Sequence, residues 1–214
     1  MTATTASIKR GAAVGIAGAA MTALAGAVVQ AIVVPATSVS DRLWSYPWSA
    51  RAFVPVSLLY AALHVLVIVG LLSVASSGAT GSSVAGRRGL GVALAGTALL
   101  FAGELASLPI RHARVADTSA QVVGALFGLG CLVSAVGFLV AGRAIVRAGI
   151  WEGPRRWLMV VAGVWTAVLV GLGPTKALSS GVAIYGICLA MVFLTVRAEP
   201  VPATARRATA AQPA

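Results

Sequence analysis

The sequence is poor in charged residues, and acidic residues are the scarcest of these. Only 10% of its 214 residues are charged, and five of them are Asp or Glu. Because soluble domains have about 25% charged residues, this composition is typical of a membrane protein. Five acidic residues, two histidines and two cysteines leave too few ligands for a metal site. We therefore predict no metal and no cofactor.

Motifs of common enzymes are also missing from the sequence. It contains no HExxH, no GxxxxGK[ST], no GxSxG and no CxxC. Cys131 and Cys188 both fall in apolar runs and are expected to be small buried side chains rather than a disulfide. Despite a net charge of +11, the basic residues stand in ones and twos between apolar runs. This distribution argues against a nucleic-acid partner.

Long apolar runs dominate the sequence, which has a mean hydropathy of +0.95. Each run approaches the roughly 20 residues that a helix needs to cross a bilayer. The runs predict an all-α bundle of six transmembrane helices at about 11–34, 53–74, 89–108, 119–141, 157–172 and 175–196. Residues 1–10 would then form a short cytoplasmic N-terminus, 11–196 the transmembrane domain, and 197–214 a disordered cytoplasmic tail.

The basic residues predict the orientation of these helices. Of the sixteen, five fall in connections on one side of the predicted bundle: Arg42, Arg51, Arg111, Arg114 and Lys176. The other eleven fall on the side of the termini. Since cytoplasmic loops are enriched in Lys and Arg, we expect both termini in the cytoplasm and the protein in the cell membrane. Contacts between this basic side and anionic lipids are also expected.

Small residues recur at four-residue spacing in two of the runs. Gly11, Gly15 and Ala19 follow one another in the first run, and Gly124 and Gly128 form a GxxxG in the fourth. Such stripes allow the backbones of two helices to approach closely in lipid. They predict either a face for a second copy or another membrane protein, or ordinary packing within one bundle. We favour ordinary packing, since six helices are available.

One carboxylate lies inside an apolar run, in "LLFAGELASLP". Glu104 is about one turn from the outer end of the third predicted helix, about 6–8 Å deep at 1.5 Å per residue. An ionised carboxylate in the bilayer usually faces the bundle interior and has a partner. Lys176 is the expected partner and Arg111 the second choice. Tyr60 is expected near the depth of Glu104, with His64 one turn deeper on the same helix face.

Further polar residues extend this candidate pocket, which we expect in the outer half of the bundle. Gln30 and Tyr185 are predicted at a similar depth in the first and sixth helices. One hypothesis is a protonatable pair of Glu104 and His64 in a transport path or a small intramembrane site. The other is structural: Glu104 ties two helices together through Lys176, and His64 is bonded to a neighbouring helix.

The longest outer connection, "SVSDRLWSYPWSARAF", mixes charges with aromatic rings. Asp41, Arg42, Trp44 and Trp48 are its candidate functional residues. The connection could cover the outer cavity and bind a lipid or small amphiphile. The simpler interpretation is an interfacial segment anchored by its aromatic rings, with Asp41 paired locally.

The stretches "SDRLWSYPWSARAF", "GELASLPIR" and "GVWTAVLVGLGPTKAL" and the Ala/Gly/Val/Arg bias resemble small six-helix integral membrane proteins of actinobacteria. The resemblance covers most of residues 11–196 and implies no activity. The leading functional hypothesis is a non-enzymatic membrane protein, either transporter-like or an accessory subunit. The alternatives are a small intramembrane enzyme or redox-associated helper that uses His64 and Glu104, and a purely structural membrane partner.

Overall fold

The computed structural model describes residues 4–198. Residues 1–3 of the predicted N-terminus and residues 199–214 of the predicted tail lie outside this range. Six long helices make up the described chain: α1 (Thr5–Ala36), α2 (Ala50–Ser76), α3 (Val84–Ser107), α4 (Thr118–Ala148), α5 (Gly153–Leu172) and α6 (Leu178–Ala198). No β-strand occurs between residues 4 and 198, apart from one isolated bridge. The predicted all-α bundle of six spans is confirmed.

The helices form a closed ring in which each helix packs mainly on its neighbours in sequence. The ring closes where α6 packs against α1, and the two helices run antiparallel, with Gly26 near Ala183 and Gly15 near Phe193. Thr5 and Ala198 therefore lie at the same end of the bundle. We call this the terminal end and the opposite one the distal end.

The helices extend further than the predicted spans, mostly at the terminal end. The fourth span was expected to end at 141, yet α4 continues through Arg143 and Arg147 to a left-handed Gly149 with φ of 64°. Similarly, α1 begins at Thr5 rather than at 11, and includes Lys9 and Arg10. Charges mark the edge of the apolar span but do not end a helix, because Arg and Lys are good helix formers.

Glycine contacts bring neighbouring helices close together. A side chain at Gly15 would meet the Cα of Gly70 on α2 at 2.5 Å, and one at Gly186 would meet the Cα of Ala23 on α1 at 2.9 Å. Between α3 and α4, a side chain at Gly137 would lie 2.7 Å from the Cα of Ala93. Backbones this close gain many dispersion contacts, which drive helix association in lipid.

The stripe of α1 therefore packs within its own chain, as we favoured. Gly11 and Gly15 face α2, and the backbone of Ala19 lies against Gly186 of α6. The GxxxG of α4 behaves differently. Gly124 has only the ring of Trp44 nearby, at 3.8 Å, and nothing among the described residues lies within 4 Å of a side chain placed at Gly128.

The outward faces of the helices are strongly apolar. The exposed large side chains include Leu24, Ile32, Leu58, Val122, Leu132 and Met191. The largest fully buried side chains, Trp151, Phe138 and Phe193 among them, fill the interior at the terminal half. Apolar surface around every helix is suited to lipid rather than water. The chain is a multi-pass helical membrane protein.

The two tryptophans near the beginning of α5 lie in different environments. Trp157 is 48% exposed, as an interfacial ring should be, but Trp151 is only 2% exposed and packs in the core. The two rings are close in sequence, but Trp151 precedes the 3₁₀ turn Gly153–Trp157, so the chain can turn its ring inward. Nearness in sequence to the end of a membrane span therefore does not determine whether a tryptophan ring is buried or exposed.

The close approach of α3 and α4 can be tested at Gly137. We expect Gly137→Ala to lower the free energy of unfolding by about 1–3 kcal/mol, because the added methyl meets backbone that cannot move without separating the helices. Thermal unfolding in detergent measures the change. Gly128→Ala on the same helix is the control and should be neutral or stabilising. Equal destabilisation by both substitutions would contradict the account.

Candidate functional site

Glu104 lies in the last turn of α3, at the distal end of the bundle. Three residues separate it from the helix end at Ser107, about 4.5 Å at 1.5 Å per residue. Its side chain is half-buried. The carboxyl group is thus within the apolar span but near its boundary, as its position in the sequence predicts.

The partner of Glu104 is Ser57 of α2, a residue that the sequence did not single out. The hydroxyl of Ser57 donates to Oε2 of Glu104 over 2.8 Å. Its Oγ also lies 3.3 Å from the backbone carbonyl oxygen of Glu104. Ser57 is only 2% exposed and Glu104 is half-buried, so the serine side of this contact is the buried side. The structure therefore joins α2 and α3 through a carboxyl–hydroxyl pair.

Lys176 is not the partner that we expected for Glu104. Its ammonium nitrogen lies 3.3 Å from Oδ2 of Asp41, and both side chains are more than half exposed to solvent. The second choice, Arg111, donates instead to the carbonyl oxygen of Leu108 over 2.9 Å. Both cations therefore bond to acceptors in or beside the distal connections, and not to Glu104. Among residues 4–198, Glu104 forms no ion pair.

Tyr60 and His64 lie on the same face of α2 as Ser57, with spacings of three and seven residues. Tyr60 is close enough to Glu104 for an electrostatic interaction between the two groups. The ring of His64 bonds within its own helix: Nδ1 lies 2.8 Å from the carbonyl oxygen of Tyr60. In the described chain, no hydrogen bond joins His64 to Glu104.

The bond of His64 fixes which ring nitrogen is free to exchange a proton. A carbonyl oxygen can only accept, so Nδ1 must carry a hydrogen and donate it to Tyr60. In the neutral ring, Nε2 then has the lone pair. We also expected that His64 could bond to a neighbouring helix. Its Nδ1 bonds instead to Tyr60 of the same helix.

Gln30 and Tyr185, expected to complete the pocket, are not hydrogen-bonded to Glu104. Gln30 lies in a π-helical segment of α1, Val29–Val33, and Tyr185 in the core with 5% exposure. The amide oxygen of Gln30 and the hydroxyl of Tyr185 are buried and have no hydrogen-bond partner within the described residues. Each is therefore a separate buried polar group.

The first distal connection, residues 37–49, is tied to its neighbours. The backbone N–H of Trp44 donates to the carbonyl oxygen of Ala113 over 2.9 Å, and the backbone N–H of Val115 donates to the carbonyl oxygen of Arg42 over 2.8 Å. The ion pair between Asp41 and Lys176 adds a tie to the turn before α6. All three distal connections are thus joined above the Glu104 site.

Two aromatic residues of this connection contact the protein as well as its surroundings. The ring of Trp44 packs on Phe127 of α4, with 6.5 Å between centroids. Trp48 is half-buried, and its backbone N–H donates to the carbonyl oxygen of Ser45 over 2.8 Å. Asp41, which we expected to pair locally, pairs instead with Lys176 of another connection.

No known protein family, no curated protein and no solved structure matches this chain. The site must therefore be interpreted from its own geometry. Among residues 4–198, no group of three or more His, Cys, Asp or Glu side chains could hold a metal ion. The arrangement on α2 and α3 consists of one carboxyl, one hydroxyl partner and two further polar groups, without a compensating cation.

The contact between Ser57 and Glu104 predicts a specific loss of stability. Ser57→Ala should lower the free energy of unfolding by about 1–3 kcal/mol, since the buried carboxyl loses its donor. Ser73→Ala is the matched control on the same helix, because that hydroxyl donates only to the carbonyl of Gly70. Reversible unfolding in detergent measures both.

A double-mutant cycle identifies the source of the loss. Ser57→Ala and Glu104→Ala should show a coupling of about 0.5–3 kcal/mol, as groups in direct contact do. Additive effects of the two substitutions would mean that the contact contributes nothing.

Proposed function

We propose that the protein is a non-enzymatic, transporter-like or accessory protein of the cell membrane, with both termini in the cytoplasm and a polar pocket in its outer half. In this pocket Glu104 takes up and releases a proton, or binds a small cationic group in its place. The distal end of the bundle is then the outer end. Ser57, Tyr60 and His64 are the other groups of the pocket.

The pairing of Glu104 with a hydroxyl instead of a cation carries this proposal. A carboxylate within the apolar span costs about 2.5–3.5 kcal/mol at mid-bilayer and less near the boundary. A permanent structural ion pair would supply a Lys or Arg to offset that cost. Ser57 supplies one neutral hydrogen bond. The carboxyl can therefore exist with or without its proton, at free energies that are not far apart.

Ser57 can serve both forms of Glu104. With the carboxylate ionised, the hydroxyl donates to Oε2 over 2.8 Å. With the carboxyl protonated, its O–H can donate to Oγ of Ser57. The serine hydrogen then turns to the backbone carbonyl of Glu104, which is 3.3 Å away. Because both forms keep a hydrogen bond, proton exchange does not strand a buried polar group.

Tyr60 and His64 extend the pocket towards the middle of the bundle. They follow Ser57 on one face of α2, about 4.5 and 10.5 Å further along the helix at 1.5 Å per residue. His64 keeps Nε2 as its exchangeable nitrogen, since Nδ1 is bonded to Tyr60. We propose these groups as the next stations for a proton or polar ligand that enters at Glu104.

The alternative of an intramembrane enzyme has less support. An acid–base pair needs His64 and Glu104 within hydrogen-bond reach of a shared reacting group. Yet each bonds elsewhere, to Tyr60 and Ser57 respectively. The structural-partner alternative is supported only by the unpacked Gly128 of α4, which leaves room there for a helix of another chain.

The transport proposal is tested by proton flux in liposomes that contain the purified full chain. A pH-sensitive dye in the lumen reports flux driven by a potassium diffusion potential. Glu104→Gln should reduce the flux at least about tenfold, because the amide cannot exchange a proton, while leaving thermal stability within about 1 kcal/mol. Glu152→Gln, an exposed glutamate at the other end of the bundle, is the matched control and should conduct like the wild type.

Two results would contradict the transport proposal. One is a wild-type protein that conducts no more than empty liposomes. The other is a Glu104→Gln variant that loses its fold, which would make the carboxyl a structural group.

The orientation is tested by reporters fused after Ala214 and within residues 77–83 and 38–49. Alkaline phosphatase is active only outside the cytoplasm. We expect it to be inactive at the first two positions and active at the third, because the basic residues concentrate on the side of the termini. Phosphatase activity at Ala214 would overturn the orientation.

A further inference from the structure

A groove of about 360 Å³ lies between the beginning of α1 and the end of α2, at the terminal end of the bundle. Its apolar wall is formed by Val14, Val69 and Leu72, and its polar rim by Ser7, Arg10 and Ser76. It is far from Glu104, since 19 residues of α2 separate Ser57 from Ser76, about 28 Å at 1.5 Å per residue. The groove is therefore separate from the pocket described above.

Gly11 and Ser73 both line the groove. A side chain at Gly11 would lie 3.1 Å from Cβ of Ser73, so the two helices are in close contact there. Beside this contact the groove opens to the surroundings between the exposed Val14 and Leu72. An apolar trough open towards lipid fits a single extended hydrocarbon chain.

The rim of the groove has a positive charge that no acidic side chain within residues 4–198 pairs with. Arg10 is exposed and has no hydrogen-bond or ion-pair partner among the described residues. Lys9, the preceding residue of α1, is not among the residues that line the groove. Of the four acidic residues between 4 and 198, Asp41, Glu104 and Asp117 belong to the distal half of the bundle, and Glu152 precedes α5, which packs mainly on α4 and α6. The rim is thus complementary to an anion.

We propose that the groove binds one anionic phospholipid of the leaflet on the side of the termini. The phosphate would contact Arg10, with the hydroxyls of Ser7 and Ser76 as further donors, and an acyl chain would lie along Val14, Val69 and Leu72. A guanidinium forms strong charge-assisted bonds with phosphate. A soluble anion would use the rim but gain nothing from the apolar wall. A zwitterionic lipid would bring a cation towards Arg10.

The experiment titrates phosphatidylglycerol and phosphatidylcholine into the delipidated full chain and counts bound lipid by native mass spectrometry. Arg10→Gln should weaken binding of phosphatidylglycerol about tenfold, as expected when a charge-assisted hydrogen bond is lost. Lys9→Gln removes the same charge from the neighbouring position outside the groove, and should weaken it no more than about twofold. Diffuse attraction of basic residues to an anionic surface would weaken both variants equally, about fivefold, and would overturn the proposal.

A second pair of variants tests the apolar wall. Val14→Trp fills the groove and should reduce the bound phosphatidylglycerol at least about tenfold. Met21→Trp, an exposed position two turns further along α1, should leave it unchanged. Thermal unfolding confirms that all four variants are folded.

Three outcomes would contradict a lipid site. Phosphatidylcholine could bind as tightly as phosphatidylglycerol, Val14→Trp could leave binding unchanged, or millimolar inorganic phosphate could displace the lipid completely. The last result would assign the rim to a soluble anion. None of these readouts depends on Glu104, so the lipid site and the proposed transport role can fail independently.

Discussion

Direct contact between helix backbones at glycines sets how closely neighbouring helices of this bundle pack. Lipid offers no hydrophobic drive for one apolar helix to associate with another, so dispersion between closely approaching surfaces must stabilise the ring. Gly15 against Gly70, Gly186 against α1, and Gly137 against Ala93 fix the register of three helix pairs. The contact between α1 and α2 also lines the groove at Gly11. Between α2 and α3, the hydrogen bond from Ser57 to Glu104 joins the two helices instead.

Glu104 and Asp41 have partners of different kinds. Asp41 pairs with the cation Lys176, whereas Glu104 accepts a hydrogen bond from a neutral hydroxyl. That ion pair is exposed, and such pairs contribute about 0–1 kcal/mol. Glu104 is within the apolar span and has a single buried hydroxyl, that of Ser57, as its side-chain partner. A carboxyl held in this way keeps its hydrogen bond in both protonation states. We therefore propose that this group carries the chemistry of the protein, and that the joined distal connections hold α2 and α3 in place around it.

Much of this could be predicted from residue types and spacing, because the bilayer imposes length and apolarity on each helix. The six spans, the depth of Glu104 and the shared face of Tyr60 and His64 all follow from helix geometry. Ser57 could not be identified in that way. Serines and threonines in apolar helices commonly donate to their own backbone, as Ser73, Thr97 and Thr166 do here. The spacing of three and seven residues from Tyr60 and His64 places Ser57 on the same face of α2 as those residues. That Ser57 bonds to Glu104 depends on the register between α2 and α3, which the sequence does not reveal. Lys176 was misassigned because the path of the loop that carries Asp41 is set by tertiary contacts with another loop.

The central claim is that Glu104 exchanges its proton while it remains bonded to Ser57. Infrared difference spectroscopy of the full chain in lipid, recorded as the pH is changed, observes the carboxylic C=O stretch directly. We predict a reversible carboxylic band that disappears as the pH rises, is absent in Glu104→Gln, and shifts in frequency in Ser57→Ala. A wild-type spectrum whose carboxylic bands are unchanged in Glu104→Gln would contradict the account.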